Sequence, residues 1–111
     1  MSDQRVKQLK IQNGVVKRII KEKLMYEKEV VQTENRIQKM KDEGRDEYDI
    51  RKMGEVLAES KMMGPDCLRR LTTAVEDLKT KMSDADELKE TEEFKEALKQ
   101  LSEAEIVLKT N

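Results

Sequence analysis

The sequence predicts an all-α protein, an elongated three-helix bundle that runs up-down-up like a spectrin repeat or a coiled-coil rod. The 111 residues include four glycines and one proline, so few turns are expected. Charged residues make up 42% and hydrophobic residues 36%, which suits helices that each bury one stripe better than a compact globular core. Apolar residues recur at spacings of three, four and seven, which favours ordered helices over a disordered chain.

The first helix is expected to extend from about residue 3 to residue 43. Gly44 can adopt the left-handed conformation that ends helices, and Asp46 is a suitable N-cap for the next helix. The apolar stripe of the first helix, with small drifts in phase, is formed by Val6, Leu9, Val16, Ile20, Leu24, Val31 and Ile37.

The second helix is expected over about residues 47–82 and carries the clearest heptad pattern. One track repeats every seven residues at Ile50, Leu57, Gly64, Leu71 and Leu78. A second track, which contains small and polar residues, comprises Met53, Ser60, Cys67, Ala74 and Lys81. On this track Cys67 is interpreted as a small buried apolar residue.

Gly64 and Pro65 interrupt the middle of this second helix and are predicted to form a structural kink. Proline lacks an N–H group and clashes with the carbonyl four residues earlier, at Lys61. Because the heptad phase continues from Leu57 to Leu71, we expect the helix to bend there and not to end. The alternative is two shorter helices and a four-helix bundle.

The third helix is expected over about residues 85–108, with Ser83 and Asp84 as N-caps, and completes one domain over residues 1–111. Its predicted apolar face contains Leu88, Phe94, Leu98, Leu101, Ala104 and Leu108. In an up-down-up bundle the first and third helices are parallel, so their N-terminal halves lie together.

Charge is distributed unevenly between these two helices, although the net charge of the chain is only −1. Residues 5–23 contain seven basic side chains and one acidic, whereas residues 84–96 contain seven acidic and two basic. Pairing between the two stretches explains the asymmetry and would help to set the helix register. The other interpretation leaves part of the basic surface free for an acidic partner.

No feature of the sequence indicates an enzyme, a cofactor or a metal site. Histidine is absent, Cys67 has no cysteine or histidine partner, and no glycine-rich phosphate loop is present. The net charge gives no nucleic-acid signal, and neither a membrane span nor a signal peptide is recognisable. The single cysteine is typical of a reducing compartment, so a cytoplasmic protein is expected.

Four motifs resemble those of the tubulin-folding cofactor A family, also known as tubulin-specific chaperones A. They cover residues 5–101 in the expected order. The motifs lie at residues 14–29, at residues 48–50, at residues 59–71 around Gly64-Pro65, and at residues 92–97. Two departures are Gly64, where the family has a bulky aliphatic residue, and Gly54, where a better helix former is typical. Both are expected to loosen the second helix.

The resemblance implies a chaperone that captures quasi-native β-tubulin released from the cytosolic chaperonin and passes it toward αβ-heterodimer assembly. It implies contact with other tubulin-folding cofactors and association with the cytoskeleton. We expect the β-tubulin contacts at exposed positions near the kink and along the first helix, although each could be an ordinary solvated residue. These positions are Tyr26, Glu27, Glu29, Tyr48, Glu59, Lys61, Met62, Asp66 and Arg69.

Three other functions compete with this one. The heptads alone would suit a structural coiled-coil subunit of a larger assembly, but Pro65 disfavours a long continuous coil. A prefoldin-like holdase needs strand hairpins, for which residues 44–47 are too few and too polar. Membrane-surface binding by the basic first helix requires an apolar face that should be buried. The pattern leaves monomer and homodimer open.

Overall fold

The computed structural model describes residues 3–110 and contains three long helices in this range. They are α1 (Gln4–Asp42), α2 (Glu47–Asp84) and α3 (Glu92–Lys109), with a 3-10 helix at Asp86–Leu88 between α2 and α3. No strand occurs within residues 3–110, so the all-α, three-helix prediction is confirmed. No helix in this range is long and apolar enough to cross a bilayer.

The turn between α1 and α2 forms as the sequence predicts. Gly44 has a φ of 68°, and its N–H donates to the carbonyl of Lys41 at 3.1 Å. The N–H of Arg45 donates to the carbonyl of Met40 at 3.0 Å, which completes a Schellman motif. Asp46 Oδ1 then accepts the N–H of Tyr48 at 2.9 Å, and this bond caps α2.

Helix α2 is continuous across Pro65. The alternative of two shorter helices is therefore wrong. The missing N–H of Pro65 leaves the helix one backbone hydrogen bond short, at a cost of about 3 kcal/mol for an interior proline. The bend at Gly64-Pro65 stays a prediction.

The start of α3 differs from the prediction. Ser83 and Asp84 belong to the last turn of α2, so their assignment as caps is wrong, and α3 begins at Glu92. Its N-cap is Thr91, whose Oγ1 accepts the N–H of Phe94 at 3.3 Å. Ala85 is fully buried and joins the hydrophobic core. Ala85 thus anchors the chain to the core between α2 and the 3-10 helix.

The described chain divides into two compact units, so the single-domain expectation stays a prediction. Unit 1 comprises the residues up to Lys21 together with those from Leu68 onward, and unit 2 comprises Glu22–Cys67. The first boundary lies within α1 and the second within α2, two residues after Pro65.

Unit 1 contains the hydrophobic core, to which all three α-helices contribute. The buried apolar residues are Leu9, Val16, Ile19 and Ile20 of α1, Leu71, Ala74, Val75, Leu78 and Met82 of α2, and Phe94, Ala97 and Ala104 of α3. Small residues at Ala74, Ala97 and Ala104 allow the helices to approach closely, while leucine and phenylalanine fill the space between them.

Polar contacts in unit 1 establish the helix directions. Arg5 pairs with Glu87 of the 3-10 helix, and Asn13 Nδ2 donates to the carbonyl of Glu93 in the first turn of α3 at 3.0 Å, so residue numbers rise together along α1 and along the segment that leads into α3. These helices are therefore parallel, as predicted. The Arg5–Glu87 ion pair also joins the basic stretch to the acidic one, and Arg5 Nη1 donates to the carbonyl of Asp84 at 3.3 Å.

Candidate functional site

The seam of unit 2 is only half covered, in contrast to the core of unit 1. Among the hydrophobic residues from Glu22 to Cys67, Cys67 alone is buried. The seam residues, spaced alternately by three and four, are half-buried because only two helices flank them. On α1 they are Tyr26, Val30, Thr33, Ile37 and Met40, and on α2 they are Ile50, Met53, Leu57 and Ser60.

The α1 stripe predicted from the sequence is wrong at Leu24 and Val31. Their side chains are 54% and 56% exposed and point away from the seam. After Ile20 the buried stripe advances by three residues to Lys23 and then by three to Tyr26. A search for apolar residues alone does not count Lys23 as part of the stripe. It assigns Leu24 to the stripe instead, one residue out of phase.

Lys23 occupies this seam position with its aliphatic stem and is only 2% exposed. Its ammonium group pairs with the carboxylate of Glu27, one helical turn later, which is half exposed. The long side chain thus buries its methylene groups and brings its charge to a carboxylate near the surface.

A groove opens between the two helices of unit 2. It is lined by Tyr26 and Glu29 of α1 and by Val56, Glu59, Ser60, Met62 and Met63 of α2. Its volume is about 420 Å³ and it is open to solvent, so it suits side chains of a protein partner better than an enclosed small molecule. Met62 is the most exposed large hydrophobic residue among residues 3–110, at 75%.

The rim of the groove carries two carboxylates, Glu29 and Glu59. Both are exposed, and neither forms an ion pair with a lysine or arginine among residues 3–110. Other acidic residues of unit 2 do form such pairs: Glu27 with Lys23, Glu43 with Lys39 and Arg45, and Glu55 with Lys52. The groove therefore combines an apolar floor with uncompensated negative charge.

Four of the nine predicted contact residues meet in this groove: Tyr26, Glu29, Glu59 and Met62. Glu27 lies one position from Tyr26 but is paired with Lys23. Tyr48 lies in the first turn of α2, where the Lys52 ammonium is 5.4 Å from its ring centroid.

The other three predicted residues do not line the groove. Lys61 and Asp66 are exposed on α2 in unit 2, and Arg69 is exposed on α2 but belongs to unit 1. The structure therefore brings four of the nine predicted residues together in the groove, and the other five do not line it.

Sequence reasoning missed three residues of the groove, namely Val56, Ser60 in this role, and Met63. Val56 and Met63 are seven residues apart and lie one position before the heptad track of Leu57 and Gly64. This additional apolar track could have indicated the groove from the sequence. Two helices that pair with each other bury two positions of each heptad, so a third apolar position indicates that another helix covers it.

Protein recognition is the chemistry that these groups support. The groove offers methionine, valine and tyrosine surface with carboxylates at its edge, and unbranched methionine side chains adapt to varied apolar partners. No group of three or more residues suited to hold a metal ion occurs within residues 3–110. The fold and the groove define an all-α protein-binding module.

The comparisons identify the family. The sequence matches the tubulin binding cofactor A family over residues 4–101, and the chain belongs to this family. It is 54% identical to tubulin-specific chaperone A of Homo sapiens over 97 residues, which cover 87% of this chain and 90% of the human protein. It is 41% identical to tubulin-folding cofactor A of Arabidopsis thaliana over 102 residues, which cover 90% of each chain.

Two solved structures share the fold. The crystal structure of tubulin folding cofactor A from Arabidopsis thaliana superposes with a TM-score of 0.83 at 41% identity, covering 91% of this chain and 95% of that one. The structure of human tubulin chaperone cofactor A gives a TM-score of 0.76 at 48% identity, covering 91% and 98%. The resemblance seen in the sequence motifs is thus confirmed.

Proposed function

We propose that this protein is a tubulin-folding chaperone that binds β-tubulin through unit 2. Membership of the tubulin binding cofactor A family supports the tubulin client. The observation that carries the choice of unit 2 is its seam, in which residues at core spacing are only half-buried. Unit 1 already covers its own apolar stripe with α3.

Physical reasoning supports a chaperone role for such a surface. A tubulin subunit without its partner exposes an apolar interface, and covering it prevents aggregation. The long helices of unit 2 present their side chains from rigid elements, so little conformational entropy is lost on binding. Because the seam includes the polar residues Thr33 and Ser60, and Glu29 and Glu59 lie at the groove beside it, the apolar area buried on binding stays small enough for release.

The client is held without covalent chemistry and passed toward αβ-heterodimer assembly. In this proposal the protein acts in the cytoplasm beside the cytoskeleton, and other tubulin-folding cofactors receive the client. Neither a cofactor nor catalysis is needed, because capture and release depend on differences in binding free energy alone. Light scattering of the purified protein distinguishes a monomer from a homodimer.

Pull-down of newly translated tubulin tests the proposal. The immobilised full chain is expected to retain β-tubulin and not α-tubulin translated in the same extract. The double variant Ile50→Asp with Leu57→Asp, which places charge in the seam of unit 2, should abolish this retention. Equal retention of both tubulins, or of neither, would refute the proposal.

A further inference from the structure

The groove of unit 2 has the character of an incomplete three-helix interface. In unit 1, residues of α1, α2 and α3 share one core, so the pair α1 and α2 accepts a third helix there. In unit 2 the same two helices pair alone, and Val56, Met62 and Met63 remain exposed beside the seam. In unit 1 the element that packs against the α1–α2 pair is thus a helix, α3, which suggests that the groove in unit 2 also binds a helix.

The dimensions of unit 2 indicate the length of the missing element. Its helical arms, Glu22–Asp42 and Glu47–Cys67, contain 21 residues each. At 1.5 Å per residue each arm is about 31 Å long. In unit 1 the covering helix α3 has 18 residues. A helix of about four to five turns would cover the arms of unit 2 to a similar extent.

The charges at the rim determine which helix fits. Glu29 and Glu59 lie on opposite helices at the edge of the same groove, and no cation of residues 3–110 pairs with either. Burying this rim under an uncharged or acidic segment would desolvate the carboxylates without compensation. A lysine or arginine at the margin of the incoming apolar stripe would pair with them and would also steer association.

From this geometry we infer that the groove of unit 2 binds an amphipathic helix of the tubulin client, whose apolar stripe is flanked by basic residues. The inference rests on the proposed function and specifies the place and the chemistry of the contact. The floor of the groove (Val56, Met63 and Tyr26) takes the apolar stripe, and Glu29 with Glu59 takes the basic margin. The client helix thus completes a three-helix arrangement in unit 2.

Charge reversal in the full chain tests the role of the rim. The double variant Glu29→Lys with Glu59→Lys is expected to weaken binding of newly translated β-tubulin by more than tenfold, whereas Glu29→Gln with Glu59→Gln should weaken it several-fold. The matched control is Glu103→Lys with Glu105→Lys, two exposed acidic residues of α3, which should bind normally. Wild-type affinity in the reversed variant would overturn the inference.

Substitution in the floor provides an independent arm. Val56→Asp with Met63→Asp should lose binding by more than tenfold, while Leu98→Asp with Ile106→Asp, at exposed apolar positions of α3, should not. Circular dichroism of each variant must show unchanged helicity. If the wild type retains β-tubulin and both groove variants do so equally well, this inference fails and the proposed function stands. If the wild type retains none, the proposed function fails first.

Photocrosslinking identifies the occupant directly. A photoreactive phenylalanine analogue at position 63 is expected to label one β-tubulin segment with apolar spacing of three and four and with lysine or arginine beside it. Labelling of an acidic or extended segment would overturn the inference. Labelling of a second copy of this chain in the presence of β-tubulin would do the same.

Discussion

Lys23 shows how a single residue can hide the phase of a helix. It lies at a core position, and its ammonium group depends on Glu27 for compensation. Burying a charge is costly even when it has a partner, and removal of the partner is strongly destabilising because the buried charge is then uncompensated. The pair therefore matters to stability although both residues are hydrophilic.

Removal of the partner should reveal this dependence. We expect Glu27→Ala to lower the free energy of unfolding by about 1–3 kcal/mol, because the ammonium group stays buried without its carboxylate. Urea denaturation measures the change. Glu55→Ala, which removes the exposed partner of Lys52, is the matched control and should cost less than about 0.5 kcal/mol. Adding Lys23→Met to Glu27→Ala should restore stability, and failure to do so would contradict the account.

Asp3 caps α1 and is sensitive to pH. The Arg5 side chain donates to its carboxylate at 2.8 Å and the Arg5 N–H donates at 2.9 Å, and these hydrogen bonds hold the pKa of Asp3 below its ordinary 3.8. Because the pKa of Asp3 is lower in the folded state than in the unfolded state, its carboxylate stabilises the fold at pH values above the unfolded-state pKa. This contribution is lost as the pH falls through the folded-state pKa.

Arg5→Gln should therefore raise the pKa of Asp3 toward its ordinary value and reduce the loss of stability below pH 3.8. NMR titration of the Asp3 carboxyl measures the pKa. Arg36→Gln, on the same helix but far along the sequence from Asp3, should leave the titration unchanged. An unchanged pKa in Arg5→Gln would show that the guanidinium group is not its cause.

At the scale of helices, the glycines differ in what they require. Gly44 has a positive φ and forms the left-handed cap, whereas Gly54 and Gly64 lie within α2. A Cβ atom added at Gly54 or Gly64 would meet nothing within 4 Å. Their cost is thus conformational entropy without a packing benefit in the isolated chain.

Alanine substitution separates these cases. Gly54→Ala and Gly64→Ala are each expected to raise the free energy of unfolding by about 0.5–1 kcal/mol. Gly44→Ala should lower it by about 1 kcal/mol or more, because alanine is strained at this φ. Thermal denaturation followed by circular dichroism compares the three. Destabilisation by Gly54→Ala would mean that the helix needs the glycine for another reason.

The sequence predicted α2 and its surrounding turn well and predicted α3 poorly. Heptads, Gly44 and Asp46 are local signals, and each determines structure within a few residues. The start of α3 follows a segment in which Ala85 is buried in a core built from distant residues, and the local capping signals at Ser83 and Asp84 do not reveal that burial. The groove was predicted in part, since Tyr26 and Met62 stood out locally but their juxtaposition depends on the register between helices.

Across the whole molecule, the two units differ in how well they bury their apolar residues. Leu71 in unit 1 is fully buried, while Leu57 in unit 2, two heptads earlier on α2, is only half-buried. Local stability follows buried apolar contact, so unit 2 should open more readily than unit 1.

Hydrogen exchange is expected to show this difference as weaker protection of amides between residues 26 and 63 than in the middle of α3. For the same reason, Leu71→Ala should lower the free energy of unfolding by about 2–5 kcal/mol, and Leu57→Ala should lower it by about 1 kcal/mol. Bound β-tubulin should raise protection chiefly in unit 2. Uniform protection along α2 would argue against separate opening.

The burial of Cys67 has a consequence for thiol chemistry. Its side chain is 1% exposed and forms no disulfide, so alkylating and oxidising reagents cannot reach the sulfur in the closed state. The only thiol of the chain therefore reacts only when the protein around it opens. The rate at which Cys67 is modified therefore reports how often the surrounding helices open. A bound client that keeps the helices closed would lower this rate.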